Sequence, residues 1–227
     1  MKIKNILYLF LLTNITVPYI FTMEEGPREQ VTMQSDKNGH VILDADEYGY
    51  ILLDAIKNHS INRVKQMLNE RYIINVDMQD CNGQTPLIHA ISLTYTIKES
   101  PWERSHNHPE IVQMLLDKGA NPNLPDKFGK TALHHAVSIR PKPKVINMLL
   151  EKGANINLQC KSGWTALHIA AQGSKSKIVE ILLQNGADPN LQDRYGRTAL
   201  DLVGTYPESN KIIKILQDAA KNKSLNL

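Results

Sequence analysis

The sequence is poor in cysteine and in aromatic residues. Its 227 residues include 2 cysteines, and aromatic residues make up 6% of the chain. Two thiols are too few for a disulfide-rich mini-fold or for a zinc site with three or four thiolate ligands. A net charge of +3 is too small by itself to indicate a nucleic-acid or membrane surface. With 42% hydrophobic and 22% charged residues, the composition is that of an ordinary folded protein.

The first 23 residues differ from the rest of the chain. Lys2 and Lys4 precede an uncharged run over 5–23 that contains the apolar string Ile6–Leu12, which is the arrangement of a secretory signal. Export into the periplasm or the medium with cleavage of this segment is the favoured prediction. Two alternatives stay open: an uncleaved membrane anchor, since no pair of small residues marks a cleavage site, and a cytosolic protein that starts at Met23.

Internal repeats dominate the remaining sequence. Four strings follow the pattern D-x-x-G-x-T-P/A-L-H with at most one departure each, and a degenerate copy before them keeps the Asp, the Gly and one Leu. The five strings begin at Asp46, Asp80, Asp126, Cys160 and Asp193. Their glycines, at 49, 83, 129, 163 and 196, are separated by 34, 46, 34 and 33 residues. A second string, typified by Ile178-Val-Glu-Ile-Leu-Leu-Gln-Asn-Gly, follows each of the first.

These strings resemble the ankyrin repeat, whose period is about 33 residues and whose signature includes T-P-L-H. The resemblance covers 46–220 and implies an all-α solenoid of antiparallel helix pairs with hairpin-like loops between repeats. The predicted repeats are 46–79, 80–125, 126–159, 160–192 and 193–220, with a linker over 24–45 and a flexible tail over 221–227. Because each repeat can bury its apolar face only against its neighbours, we expect one continuous stack.

Several residues suit the ends of the predicted helices. A threonine hydroxyl can accept a hydrogen bond from a free amide of the first helical turn. The candidate N-caps are Thr85, Thr131, Thr165 and Thr198. Pro86 suits a first helical position, and left-handed helix ends are expected at Gly119, Gly153 and Gly186. Cys160 replaces the Asp that opens the other loops, so we expect a weaker side-chain cap there.

The histidines invite a metal-binding or catalytic interpretation. His134, His135 and His168 are candidate ligands, and His106 and His108 form an H-N-H string. The resemblance instead implies that His134 and His168 hydrogen-bond the inter-repeat loop and the neighbouring threonine. Zinc needs three or four convergent ligands, and the sequence contains no G-x-S-x-G, P-loop or H-E-x-x-H string. We therefore predict no enzyme, catalytic residue, metal site, cofactor or small-molecule substrate.

Function is expected on the positions that the repeat pattern leaves free. The resemblance implies that proteins bind through the loop tips and the inner face of the first helices. The tips of the last three copies carry five basic and three aromatic residues. The predicted partner-binding residues are Lys127, Phe128, Lys130, Lys161, Trp164, Arg194, Tyr195 and Arg197. Cations and aromatic rings favour an acidic protein partner over nucleic acid.

The predicted function is a monomeric, non-enzymatic scaffold for protein–protein interaction that is exported towards a host. A scaffold tethered to a membrane by 5–23 and an intracellular regulator that masks an enzyme are the alternatives. The second copy carries a surplus between Leu93 and Ile111, which we expect as extra helical turns or as a longer loop. Trp102 within it either packs onto the stack or is an exposed anchor.

Overall fold

The computed structural model describes residues 34–35, 41–42, 45–58, 60–69, 74–96, 108–138, 142–205 and 207–225. The chain divides into two units, Met1–Asp44 and Ala45–Leu227. In the first unit, strands β1 at Gln34–Ser35 and β2 at Val41–Ile42 pair antiparallel, inside the predicted linker. The predicted signal segment over 1–23 lies outside the described residues. Within the described part of the chain, no helix has both the length and the apolar character needed to cross a membrane.

The described residues of the second unit form helices joined by loops. The α-helices are α1 Ala45–Lys57, α2 Ile61–Asn69, α3 Pro86–Thr96, α4 His108–Asp117, α5 Ala132–Ser138, α6 Pro143–Glu151, α7 Ala166–Gln172, α8 Ser176–Gln184 and α9 Ser209–Leu225. A short 3-10 helix at Leu200–Leu202 lies between α8 and α9. This architecture confirms the predicted all-α solenoid.

The helices pack in two rows. In one row α1 contacts α3, α3 contacts α5 and α5 contacts α7, and in the other α2 contacts α4 and α4 contacts α6. Each first helix also contacts the second helix of its own pair. Fully buried leucines come from successive first helices, at Leu52, Leu87, Leu133 and Leu167. The core is therefore a run of local contacts between neighbouring pairs, filled mainly by aliphatic side chains.

Local sequence signals set several of the helix ends. Pro86 is the first residue of α3, where its missing N–H costs no helical hydrogen bond. Gly119, Gly153 and Gly186 follow α4, α6 and α8 with φ angles of 89°, 83° and 88°, so the predicted left-handed helix ends are confirmed. Thr165 accepts a hydrogen bond from the His168 N–H at 3.4 Å and caps α7.

The first copy departs from the predicted repeat. Asp46 and Gly49 align in sequence with the loops of the other copies, but both lie inside α1. Asp46 lies in the first turn, where a carboxylate interacts favourably with the positive end of the helix dipole, and it accepts a hydrogen bond from Asn75 Nδ2 at 2.6 Å. A Cβ on Gly49 would lie 2.6 Å from the Asn75 carbonyl oxygen, so close approach of another segment explains this glycine.

The surplus of the second copy is partly helical. Helix α3 has 11 residues, whereas α5 and α7 have 7 each. Extra helical turns therefore absorb part of the surplus, and α4 begins at His108, where the second-helix string begins in sequence. Residues 97–107, which include His106 and Trp102, lie outside the described residues, so both alternatives for Trp102 stay open.

The last helix continues past the predicted end of the repeats. In copies two to four a glycine follows a buried leucine by four residues and ends the helix, as Gly186 follows Leu182. In the last copy Ala220 follows the buried Leu216 by the same interval, and alanine favours helix. Helix α9 accordingly runs to Leu225 rather than ending at Ala220, and Lys223 Nζ lies 2.6 Å from Asp188 Oδ2.

Candidate functional site

The loops between the helix pairs share one backbone geometry. In the third copy the Asp126 N–H donates to the Lys130 carbonyl at 2.9 Å, and the Gly129 N–H donates to the Asp126 carbonyl at 2.8 Å. The corresponding bonds of the fourth copy, around Cys160 and Gly163, are 2.9 and 2.8 Å long. The loops that begin at Asp80 and Asp193 are closed in the same way. Each loop is therefore a tight hairpin that presents its tip at the edge of the stack.

A buried aspartate reinforces three of the four hairpins. Asp126 Oδ1 accepts hydrogen bonds from the N–H groups of Phe128 at 2.8 Å and Lys130 at 2.9 Å. Asp80 and Asp193 make the equivalent pairs of bonds. Burial by itself would raise the pKa of Asp126, but these bonds and one from His135 outweigh it and hold the pKa below its ordinary value.

The second oxygen of the aspartate binds a histidine from the following helix. His135 Nε2 lies 2.9 Å from Asp126 Oδ2, and His89 Nε2 lies 3.0 Å from Asp80 Oδ2. His135 therefore belongs to a hairpin, a role that the sequence interpretation missed. Its signal was a histidine nine residues after the aspartate in the second and third copies.

The fourth copy replaces this polar pair by an apolar one. Cys160 and Ile169 occupy the two positions, and they are 8% and 9% exposed. A thiol has no oxygen to bind the tip amides, so the expected weaker side-chain cap at Cys160 is confirmed. The Cys160 thiol is free and buried, whereas the Cys81 thiol is free and exposed.

Adjacent hairpins are joined through their backbones. The N–H groups of Lys127, Lys161 and Arg194 donate to the carbonyls of Asn82, Phe128 and Ser162, at 2.9, 3.0 and 3.2 Å. Gly129 has a φ of 76°, and a Cβ there would lie 2.7 Å from the Lys161 nitrogen. Glycine is thus needed both for the left-handed turn and for the approach of the next hairpin. We call residues 81–84, 127–130, 161–164 and 194–197 the loop-tip edge.

The histidines of the T-x-L-H strings anchor one hairpin to the next. His134 Nδ1 lies 3.1 Å from the Thr131 backbone nitrogen, whose N–H donates to it, and Nε2 lies 2.9 Å from the Trp164 carbonyl oxygen. His168 makes the same contacts with Thr165 and with the Arg197 carbonyl. A ring that accepts at Nδ1 and donates at Nε2 is neutral. Burial lowers the pKa of both imidazoles, in agreement with that state.

The other T-x-L-H positions differ in detail. Thr85 Oγ1 accepts from the Ile88 N–H at 3.3 Å. At Thr198 both the N–H and the hydroxyl donate to Asp201 Oδ2 at 2.8 Å. Among the described residues, no group of three or more His, Cys, Asp or Glu side chains is placed to hold a metal ion.

The eight predicted partner-binding residues all lie on the loop-tip edge, but their exposure differs. Phe128 is 57% exposed and Tyr195 is 79% exposed. Lys127, Lys161 and Arg194 are exposed as well. The half-buried members of the set are Lys130, Trp164 and Arg197.

Two of the predicted anchors are engaged within the edge itself. The Trp164 indole N–H donates to Asp193 Oδ2 at 3.1 Å. The Arg197 guanidinium contacts the same oxygen through Nε at 3.0 Å and Nη2 at 2.8 Å, and it lies 5.0 Å from the centre of the Tyr195 ring. Trp164 and Arg197 therefore contribute mainly to the shape of the edge, since their polar groups already have a buried partner.

The remaining cations keep their charge available. Lys127 Nζ contacts Asn82 Oδ1 and lies 5.2 Å from the centre of the Phe128 ring, so its partners are neutral. Lys130, Lys161 and Arg194 form no ion pair with any side chain in the described ranges. The edge thus combines two exposed rings with four cations that no acidic side chain neutralises within the described structure.

Stacked helix pairs, tied edge to edge by hairpins with T-x-L-H anchors, define a repeat scaffold of the solenoid class. A family model described as ankyrin repeats (3 copies) matches residues 104–193 and 141–226. The chain therefore belongs to the ankyrin-repeat family. Ankyrin repeats are generally modules of protein–protein interaction.

Two curated relatives carry the words "ankyrin repeat protein" in their names. One, from Acanthamoeba polyphaga mimivirus, is 40% identical over 63 residues, which are 28% of this chain and 12% of the relative. The other, YahD of Escherichia coli, is 37% identical over 82 residues, which are 36% of each chain. The match therefore spans about an eighth of one relative and about a third of the other.

Proposed function

We propose that this protein holds an acidic protein partner on the loop-tip edge of copies three to five and on the adjoining inner face of α5 and α7. The observation that carries the proposal is the joint exposure of Phe128 and Tyr195 on an edge whose hairpins are bonded to one another. Large exposed side chains concentrated on one surface are typical of binding sites. Aromatic anchors also dominate the free energy of many protein interfaces.

Rigidity supports this role. A partner that binds a preorganised surface does not have to order it, so less of the interaction energy is lost. The tips are held by backbone bonds to the next hairpin and, in two of these three copies, by the buried Asp126 and Asp193. The edge is therefore already formed before a partner arrives.

Charge supports an acidic partner. Copies three to five carry five cations at their tips, whereas the buried carboxylates beneath them are those of Asp126 and Asp193. Asp193 pairs with Arg197 and Asp126 with His135, so the other four cations have no acidic partner within the described ranges. Such a surface attracts carboxylates, and salt weakens that attraction by screening the charges.

Paired variants test the proposal. Phe128→Ala with Tyr195→Ala removes both exposed rings, and Tyr50→Ala is the matched control because Tyr50 is 48% exposed on α1. Lys161→Glu with Arg194→Glu reverses two tip charges, and Lys177→Glu with Lys214→Glu reverses two exposed cations away from the tips.

Proteins captured from a candidate host lysate are quantified for each variant, with circular dichroism as the measure of folding. We expect both edge variants to lose the captured proteins and both control variants to keep them. If the edge variants are folded and retain the same proteins, the proposal is wrong. Capture dominated by nucleic acid and abolished by nuclease would replace the acidic protein by a polynucleotide.

We also propose export of the chain, on the strength of Lys2, Lys4 and the apolar run over 5–23. Cell fractionation with N-terminal sequencing tests it. A secreted or periplasmic chain that begins after the apolar run would support export, and an intact membrane-bound chain would support tethering instead. A cytosolic chain that begins at Met23 would contradict both.

A further inference from the structure

The loop-tip edge presents two parallel rows of side chains. The first row holds the first tip position in copies three to five, Lys127, Lys161 and Arg194, and we call it the cation row. The second row holds the next position, Phe128, Ser162 and Tyr195, and we call it the ring row. Each of these three hairpins therefore contributes one cation and one neighbouring residue, and the ring row is aromatic at both ends and small in the middle.

The distance between successive side chains of a row follows from the stacking of the repeats. Adjacent tips are joined by a single backbone hydrogen bond, and each step corresponds to one layer of helices. Packed helices are about 8–10 Å apart, so successive cations are separated by a similar distance along the edge.

A chain in the polyproline II conformation has a matching period. It advances about 9 Å in three residues and turns once in doing so, so every third side chain returns to the same side. A β-strand does not match, since two residues advance it about 6.6 Å and four about 13 Å.

We infer, on the basis of the proposed function, that the edge recognises an extended acidic segment in polyproline II conformation with a carboxylate at every third residue. Over about nine residues, three carboxylates meet Lys127, Lys161 and Arg194. The residue beside each carboxylate lies along the ring row, where apolar side chains contact Phe128 and Tyr195. The third residue of each turn faces solvent.

Charge decides against a basic or neutral occupant. A single-stranded polynucleotide would meet the cation row with its phosphates and would stack bases on Phe128 and Tyr195, so oligothymidylate is one arm of the test. A basic segment would place like charges beside Lys161 and Arg194, and a neutral segment would leave these two cations without an ion-pair partner. An acidic segment with interleaved apolar residues satisfies both rows.

Two synthetic nonapeptides of identical composition test the inference with the full-length protein. The periodic peptide is Glu-Val-Pro repeated three times, and the clustered peptide has three Glu followed by three Val-Pro pairs. Both carry the same charge, and proline keeps both extended. Binding is measured by fluorescence anisotropy at about 50 mM and about 300 mM salt, where screening differs.

We expect the periodic peptide to bind about fivefold more tightly than the clustered peptide at the lower salt concentration, and this preference to shrink at the higher one. Lys161→Glu removes the central cation and should abolish the preference. Lys177→Glu, which reverses an exposed charge on α8, should leave it intact.

The outcomes separate this inference from the proposed function. Equal binding of both peptides, lost in the variant with Lys161→Glu and Arg194→Glu, overturns the inferred period but leaves the edge as the binding surface. Binding of either peptide that is unaffected by these substitutions contradicts both the inference and the proposed function. The inference that the ligand is an acidic segment is wrong if the periodic peptide does not bind. It is also wrong if oligothymidylate binds the edge more tightly than the periodic peptide.

Discussion

The hairpins of the third and fourth copies have the same backbone geometry, but the side chains buried beneath them differ. Both are closed by the same pair of backbone hydrogen bonds, with lengths that agree within 0.1 Å. Under the third, the Asp126 carboxylate binds two tip amides and His135, whereas Cys160 and Ile169 are buried under the fourth. The hairpin shape therefore depends on the backbone and its glycine, and the interior beneath it can be polar or apolar.

The largest expected effect concerns the left-handed glycine that the hairpins share. Gly129→Ala and Gly163→Ala should each lower the free energy of unfolding by about 3 kcal/mol, because both have positive φ and a Cβ would lie 2.7 Å from the next tip nitrogen. Gly196→Ala is the control, since its φ is 74° but no atom lies within 4 Å of a Cβ. It should cost about 1 kcal/mol in urea unfolding. Equal costs at all three glycines would refute the close approach of the hairpins.

Removal of the polar interior is the next largest effect. Asp126→Ala leaves two tip amides and His135 without their acceptor, and it should cost about 2–3 kcal/mol. Cys160→Ala removes one buried sulfur and should cost about 1 kcal/mol. Urea unfolding of both variants measures the difference. The account of the two interiors is wrong if Cys160→Ala is the more damaging change.

Transplanting the apolar pair sharpens the comparison. Asp126→Cys and His135→Ile together give the hairpin of the third copy the apolar interior of the hairpin in the fourth copy. Each single change leaves one polar group unpaired, so the double variant should be about 1–2 kcal/mol more stable than the sum of the single effects predicts. A double-mutant cycle measures this coupling. Strict additivity would mean that the two side chains do not act as a pair.

The smallest effect is a pH dependence confined to the polar hairpin. Burial lowers the pKa of His135 below its ordinary value, although Asp126 partly opposes this. As the pH falls below about 6.5, the unfolded histidine takes up a proton that the folded one resists, so the free energy of unfolding decreases.

Between about pH 7 and about pH 5.5, the native protein should lose about 1 kcal/mol more than the variant with Asp126→Cys and His135→Ile. The other histidines are common to both proteins and cancel, and the carboxylates titrate at lower pH. Parallel pH profiles would show that His135 does not contribute in this way.

Features that depend only on residues close together in one copy were predictable from the sequence. Pro86, the left-handed Gly119, Gly153 and Gly186, and the missing acceptor at Cys160 all act over a few residues, so a repeated string reveals them. The all-α solenoid followed from the same strings. The location of the eight candidate residues at the tips also followed from their place between the Asp and the Thr of the pattern.

Features that depend on tertiary contacts were not predictable in the same way. Trp164 is a predicted partner-binding residue, and its indole is bound to Asp193, 29 residues away. Arg197, another residue of that set, contacts the same Asp193 oxygen. Gly49 resembled a loop glycine, and only the approach of Asn75 to α1 reveals its role.

The central claim is that the hairpins form one continuous, preorganised edge. Native-state amide hydrogen exchange at Lys127, Lys161 and Arg194 tests it most directly, because these N–H groups make the bonds between hairpins. We predict slow exchange with similar protection at all three amides, whether the interior beneath is polar or apolar. Exchange of Lys161 or Arg194 at the rate of an unstructured chain would contradict the claim.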